Sequence, residues 1–180
     1  MNFHRIFRRL CAVLVISSGL VAPALAQTAR GPSTPEEHAR VVQLAAVSDK
    51  DPVAAMTSSE GRWFEKWADD VPDYQFGPDS GAYWMATGAA KGDLKRVVRF
   101  HHTLSTAAFQ VQHKIADPRK KPGESEATTL AGVEGLLRAY ESLLAKRPEK
   151  RSEQLDQAIA LRDKGQLAAF VKTLPPLPGR

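Results

Sequence analysis

Residues 93–116 read DLKRVVRFHHTLSTAAFQVQHKIA, and this stretch decides the fold. Leu94, Val97, Val98, Leu104, Ala108, Val111 and Ile115 recur at spacings of three and four, with His101 on the same line. That spacing gathers apolar groups on one face of a helix, whereas a strand would need strict alternation. Asp93 is placed to cap the helix, and Asp117-Pro118 stops it after about Ala116. An apolar face of this length must be buried against other helices.

The same period recurs on both sides. Downstream, residues 116–124 read as a basic exposed loop carrying Arg119, Lys120 and Lys121. Ser125 then starts a helix with the stripe Leu130, Val133, Leu137, Tyr140 and Leu144, ending before Pro148. Gly132 and Gly135 inside it each cost about 1 kcal/mol relative to alanine, which implies close approach by a neighbouring helix. Ser152 caps another helix, with Leu155, Ala158, Ile159 and Arg162, closed by Lys164-Gly165 as a glycine stop. A last turn or two holds Leu167, Phe170, Val171 and Leu174. Residues 175–178, Pro-Pro-Leu-Pro, extend as a tail.

Upstream, Thr34-Pro35 with Glu37 forms a capping box for a first helix that buries Val41, Leu44, Ala45 and Val47 or Ser48. Asp51-Pro52 repeats the start signal for a second helix running to about Asp70. Residues 71–81 form a loop, followed by a short helix from Asp79 or Ser80 to about Ala90 and a turn at Lys91-Gly92. The fold class is therefore all-α, with six or seven helices arranged as an antiparallel bundle or stacked helical hairpins.

The N-terminus has a different character. Arg5, Arg8 and Arg9 precede an apolar run over residues 10–22, broken only by Ser17, Ser18 and Gly19, and Ala24-Leu25-Ala26 follows. A basic segment, a run too short to span a bilayer and a small-x-small site read as a cleavable export signal over residues 1–26. The division is then 1–26 signal peptide, 27–174 a single helical domain and 175–180 a proline-rich tail, in a protein expected in the periplasm or secreted. Arg8-Arg9 lacks the polar and aromatic neighbours of a twin-arginine signal. Cys11, at the near end of the run, is wrongly placed for lipid attachment.

Cys11 is also the one cysteine of the 180 residues, so a processed domain is expected to have no disulfide, thiolate catalysis or cysteine metal site. Without the three leader arginines, 25 basic residues become 22 against 20 acidic, about +2. So small a balance makes no general case for nucleic-acid binding.

Within the domain, Trp63, Trp67, Tyr83 and Trp84 concentrate large aromatics beside Asp69, Asp70, Asp73 and Asp79. Aromatic faces stack on sugar rings or fill a partner's groove. Trp63, Trp67, Asp73, Tyr83 and Trp84 are accordingly the candidate binding surface, although Trp63 and Trp67 at i, i+4 equally suit a packed core. Paired carboxylates are what glycoside hydrolysis requires. The acids do not have a calcium-loop spacing. His101, His102 and His113 do not have the three- or four-residue spacing of a helical metal pair, and His102 and His113 stand roughly 16 Å apart along one helix. His101 reads as a hydrogen-bonded core histidine. No metal, cofactor or catalytic residue is assigned.

Residues 89–94, Ala-Ala-Lys-Gly-Asp-Leu, resemble the inter-helix turn of ankyrin or tetratricopeptide units, and Tyr140, Leu143 and Pro148 match three positions of a tetratricopeptide second helix. The first-helix Trp, Leu, Gly and Tyr positions are not reproduced, and no period of about 33 or 34 residues recurs. The leading expectation is an exported module that binds another envelope or secreted protein. The alternatives are a small cell-wall or sugar-directed enzyme or ligand-binding domain, using Asp69, Asp73 or Asp79 with His101, and a tetratricopeptide-like scaffold.

Overall fold

A computed structural model of the chain describes residues 30–76 and 88–173. The described residues hold seven α-helices and no strand. The leader, the short helix expected over residues 79–90 and the proline-rich tail lie wholly or mostly outside them. No helix among the described residues is long and apolar enough to cross a membrane.

Helix α1, Pro35–Ser48, begins with the expected capping box. Glu37 N–H donates to Thr34 Oγ1 at 3.3 Å, and Thr34 N–H donates to Glu37 Oε2 at 3.0 Å. The expected second helix is instead two, α2 (Pro52–Thr57) and α3 (Ser59–Asp70). The break falls at Ser58, whose backbone is extended and whose hydroxyl accepts from Gly61 N–H at 2.9 Å, capping α3. Gly61 is what lets α3 turn so tightly off α2, because a Cβ there would lie 2.5 Å from the Met56 carbonyl oxygen.

Helix α4, Gly92–His113, is the expected amphipathic helix shifted slightly at both ends. Lys91 rather than Asp93 occupies the cap position and makes no side-chain cap bond, while Gly92 takes φ +56° and Asp93 falls in the first turn. Lys114 closes the helix in the left-handed conformation at φ 56°. The burial exceeds one stripe: Phe100, His102, Thr106, Ala107 and Gln110 are buried along with the predicted positions. A helix covered on several sides is the centre of the fold, and α4 packs against α1, α2 and α5.

After a single 3₁₀ turn at Pro118–Lys120, helix α5 spans Pro122–Lys146, starting three residues before the expected Ser125. It runs antiparallel to α4, since Gly132 sits over His102 and Thr106 while Gly135 sits over His101 and Ser105. Another 3₁₀ turn leads to α6 (Glu153–Asp163), capped by Ser152 as expected, and Gly165 at φ +70° opens the way to α7 (Leu167–Thr173).

The apolar interior lies in two clusters, with α4 contributing to both. Leu94 and Val98 join Val133, Leu136, Leu137, Tyr140, Leu143, Leu155, Leu167 and Val171 in one. Phe100, Leu104, Ala107 and Val111 join Val41, Leu44, Phe64 and Trp67 in the other. The Tyr140 hydroxyl ties the first cluster together: it accepts from Ser152 N–H at 2.7 Å and reaches Asp156 Oδ1 at 2.9 Å, joining α5 to the start of α6. Removing that hydroxyl leaves a buried N–H without its acceptor, which costs about 1–3 kcal/mol. Tyr140→Phe is therefore expected to lower the urea midpoint with an unchanged m-value, and an unmoved midpoint would show the link to be idle.

Candidate functional site

Trp67 is 1% exposed and packs on Phe64 and Phe76, with ring centroids 6.2 and 5.2 Å away. Its ring belongs to the core and offers no face to a partner. Trp63, one turn earlier, is half-buried and stacks on Trp67 at 6.0 Å. The Arg40 guanidinium lies 3.8 Å from the Trp63 ring centroid, and Glu60 holds that guanidinium by two hydrogen bonds of 2.5 and 2.8 Å. The exposed part of Trp63 is thus partly roofed by a fixed cation. Tyr83 and Trp84 lie outside the described residues.

Asp73 anchors the N-terminal approach to α1. Its carboxylate accepts from the Ser33 hydroxyl at 2.7 Å and the Ser33 N–H at 2.9 Å. Partial burial works against the charged form, but these two donors hold the carboxyl below the usual carboxylate range. The Ser33 hydroxyl also lies 2.6 Å from His38 Nε2. In a hydrolase triad the imidazole sits between carboxylate and hydroxyl, whereas here the hydroxyl sits between the other two. Because the single hydroxyl proton goes to Asp73, the arrangement fastens residue 33 to residue 73 and does not activate an oxygen.

His101 is 0% exposed, with Nε2 3.1 Å from the Pro52 carbonyl oxygen, as expected of a core histidine. It faces the interior while Asp69 lies on the surface and Asp73 is occupied by Ser33, so these groups do not form one reactive cluster. Asp79 lies outside the described residues. Among the described residues no group of three or more His, Cys, Asp or Glu is arranged to hold a metal ion.

A groove of about 470 Å³ runs between α3 and α4, with Met56 of α2 at one side. Its base is Phe64 and Phe100, and its rims are charged: Glu65 and Asp69 on α3, Arg96 and Arg99 on α4. The volume falls within the range of ligand pockets. Helix geometry explains the rims, because residues three or four apart share a face. Glu65 and Asp69 are i, i+4, and Arg96 and Arg99 are i, i+3.

Two further grooves also carry charge. The one of about 550 Å³ is lined by Lys91, Glu149, Lys150, Arg151 and Glu153, of which Lys150 pairs with Asp93 and Arg151 with Asp156 beside it. The one of about 270 Å³ between α1, α4 and α5 contains the Arg138–Asp49 pair at 2.6 Å. In the α3–α4 groove, Glu65, Asp69 and Arg96 make no ion pair with another described residue. The like-charge spacings on α3 and α4 are the sequence signal for this groove, and they lie apart from the aromatic positions Trp63 and Trp67.

No protein family matches the chain, nor does any curated protein or solved structure.

Proposed function

We propose that the protein is an exported binding module whose recognition face is the α3–α4 groove, acting on a component of the cell envelope or its surroundings. Export rests on the leader: Arg5, Arg8 and Arg9, the apolar run over residues 10–22 and the Ala24-Leu25-Ala26 site. The observation that carries the binding role is an acidic rim, Glu65 and Asp69, facing a basic rim, Arg96 and Arg99, over an aromatic base. Other surface charges close into pairs, as in Arg162 with Glu141 and Lys172 with Glu126 at 2.7 Å each. The groove shares helix α3 with Trp63, but none of the described residues expected from the sequence as the binding surface lines it.

The test uses the full chain, expressed with its leader and purified from the compartment it reaches. Intact mass is expected to begin at Gln27. Wild type and the Asp69→Asn/Arg96→Gln double variant are then compared as baits for an envelope extract, with circular dichroism confirming equal helicity. Both side chains are exposed, so the fold is expected to survive. A component retained by wild type and depleted about tenfold or more by the variant supports the reading, since a charge-assisted hydrogen bond contributes about 1.5–3 kcal/mol. An identical retained set overturns it.

A further inference from the structure

The acidic rim of the α3–α4 groove is arranged against the stability of its own helix. Glu65 and Asp69 repel at i, i+4, and such a like-charge pair costs a few tenths of a kcal/mol. Asp69 stands in the last turn of α3, where the negative end of the helix dipole disfavours an anion, and that turn contains no basic residue. The opposite sign would suit this end of α3 better. A carboxylate pair set against the stability of its own helix, with no ion pair to another described residue to offset it, marks a place where charge serves something outside the fold.

We infer that the ligand is a short peptide with both termini free, held by its two end charges. This rests on the groove being the recognition face proposed above. The anionic rim on α3 suits the terminal ammonium, whose three donors need carboxylate acceptors. The opposite rim suits the terminal carboxylate, which Arg96 can take through two parallel N–H···O bonds. Phe64, Phe100 and Met56 between the rims give an apolar side chain of the peptide a surface to lie on. A ligand with one sign of charge would meet one rim of like charge, so a zwitterion is the class that both rims recognise at once.

Calorimetric titration with alanyl-phenylalanyl-alanine, its N-acetylated form and its C-amidated form tests the assignment. The free tripeptide is expected to bind, and each blocked form to bind about tenfold more weakly. Arg96→Gln is expected to weaken the free and acetylated peptides while leaving the amidated one unaffected. Asp69→Asn is expected to weaken the free and amidated peptides while leaving the acetylated one unaffected. Blocked and free peptides binding equally, or each variant weakening all three alike, would overturn the inference. No binding of any peptide, together with an envelope component still lost from the double variant, would overturn it while leaving the binding-module reading intact.

Discussion

Gly135→Ala is expected to destabilise the protein by up to about 2 kcal/mol, although helix propensity alone argues for a gain. Alanine is favoured over glycine in a helix interior by about 1 kcal/mol. Against that, a Cβ at position 135 would overlap the Ser105 side chain, including its Cβ, with the His101 carbonyl oxygen 3.4 Å away. Rotating Ser105 moves its hydroxyl but not its Cβ, so α4 and α5 must separate. Overpacking of this kind costs about 1–3 kcal/mol and opens voids along the rest of the contact. The neighbouring Gly132 is under the same constraint, since a Cβ there would come within 2.5 Å of Thr106 Oγ1 and 2.8 Å of His102 Nε2. Chemical denaturation should show the loss, and Ser105→Gly in the Gly135→Ala background should recover a large part of it, giving a coupling energy of about 1 kcal/mol or more. If Gly135→Ala is instead stabilising, α4 and α5 do not meet along these glycines.

Acid should weaken the same interface. His102 is buried in α4 over Gly132, and burial in these surroundings pushes its pKa down from 6.5 to about 4. In the unfolded chain the imidazole takes up its proton near its ordinary value, so between about pH 6.5 and 4 the unfolded state binds more protons than the folded one. Stability therefore falls as pH drops through that window and stays lower beneath it. The difference amounts to about 3 kcal/mol by pH 4. His101 is shifted in the same direction, mainly by burial, with the nearby Arg138 adding to it and the Pro52 carbonyl and Asp49 opposing. Thermal melts from pH 7 to pH 4 should show this decline, and His102→Gln should flatten it while lowering stability at pH 7. An unchanged slope in His102→Gln would assign the acid sensitivity elsewhere.

Several local features were legible because their causes are local. Thr34 with Glu37, Ser152 and Gly165 each act within a few residues, and the structure puts them at the helix ends where capping chemistry requires them. Gly132 and Gly135 were legible as a close approach because nothing in the helix itself justifies them. Ser58 was missed because a serine inside an apolar period reads as a tolerated interruption, and only its extended backbone, with Gly61 against the end of α2, turns it into a break. Lys91 and Lys121 were missed as caps because neither carries the side-chain oxygen that marks one.

The candidate site was harder to see. Trp63 and Trp67 are adjacent in spacing, yet one is half-buried beneath Arg40 and the other fully enclosed, a difference set by α1 and by residues 71–76 packing from outside α3. Glu65 and Asp69 could be placed on one helix face from their spacing alone. That Arg96 and Arg99 stand opposite them depends on how α3 leans on α4, more than 20 residues later in the chain.

By itself the amino-acid order settled the helical class and many of the helix ends, because hydrogen bonding and side-chain periodicity act over three or four residues. Which helix became the centre, which tryptophan was enclosed and which charges came to face each other were decided only by tertiary packing. Those outcomes depend on the summed burial of surfaces brought together from distant parts of the chain, and no short window of sequence contains that sum.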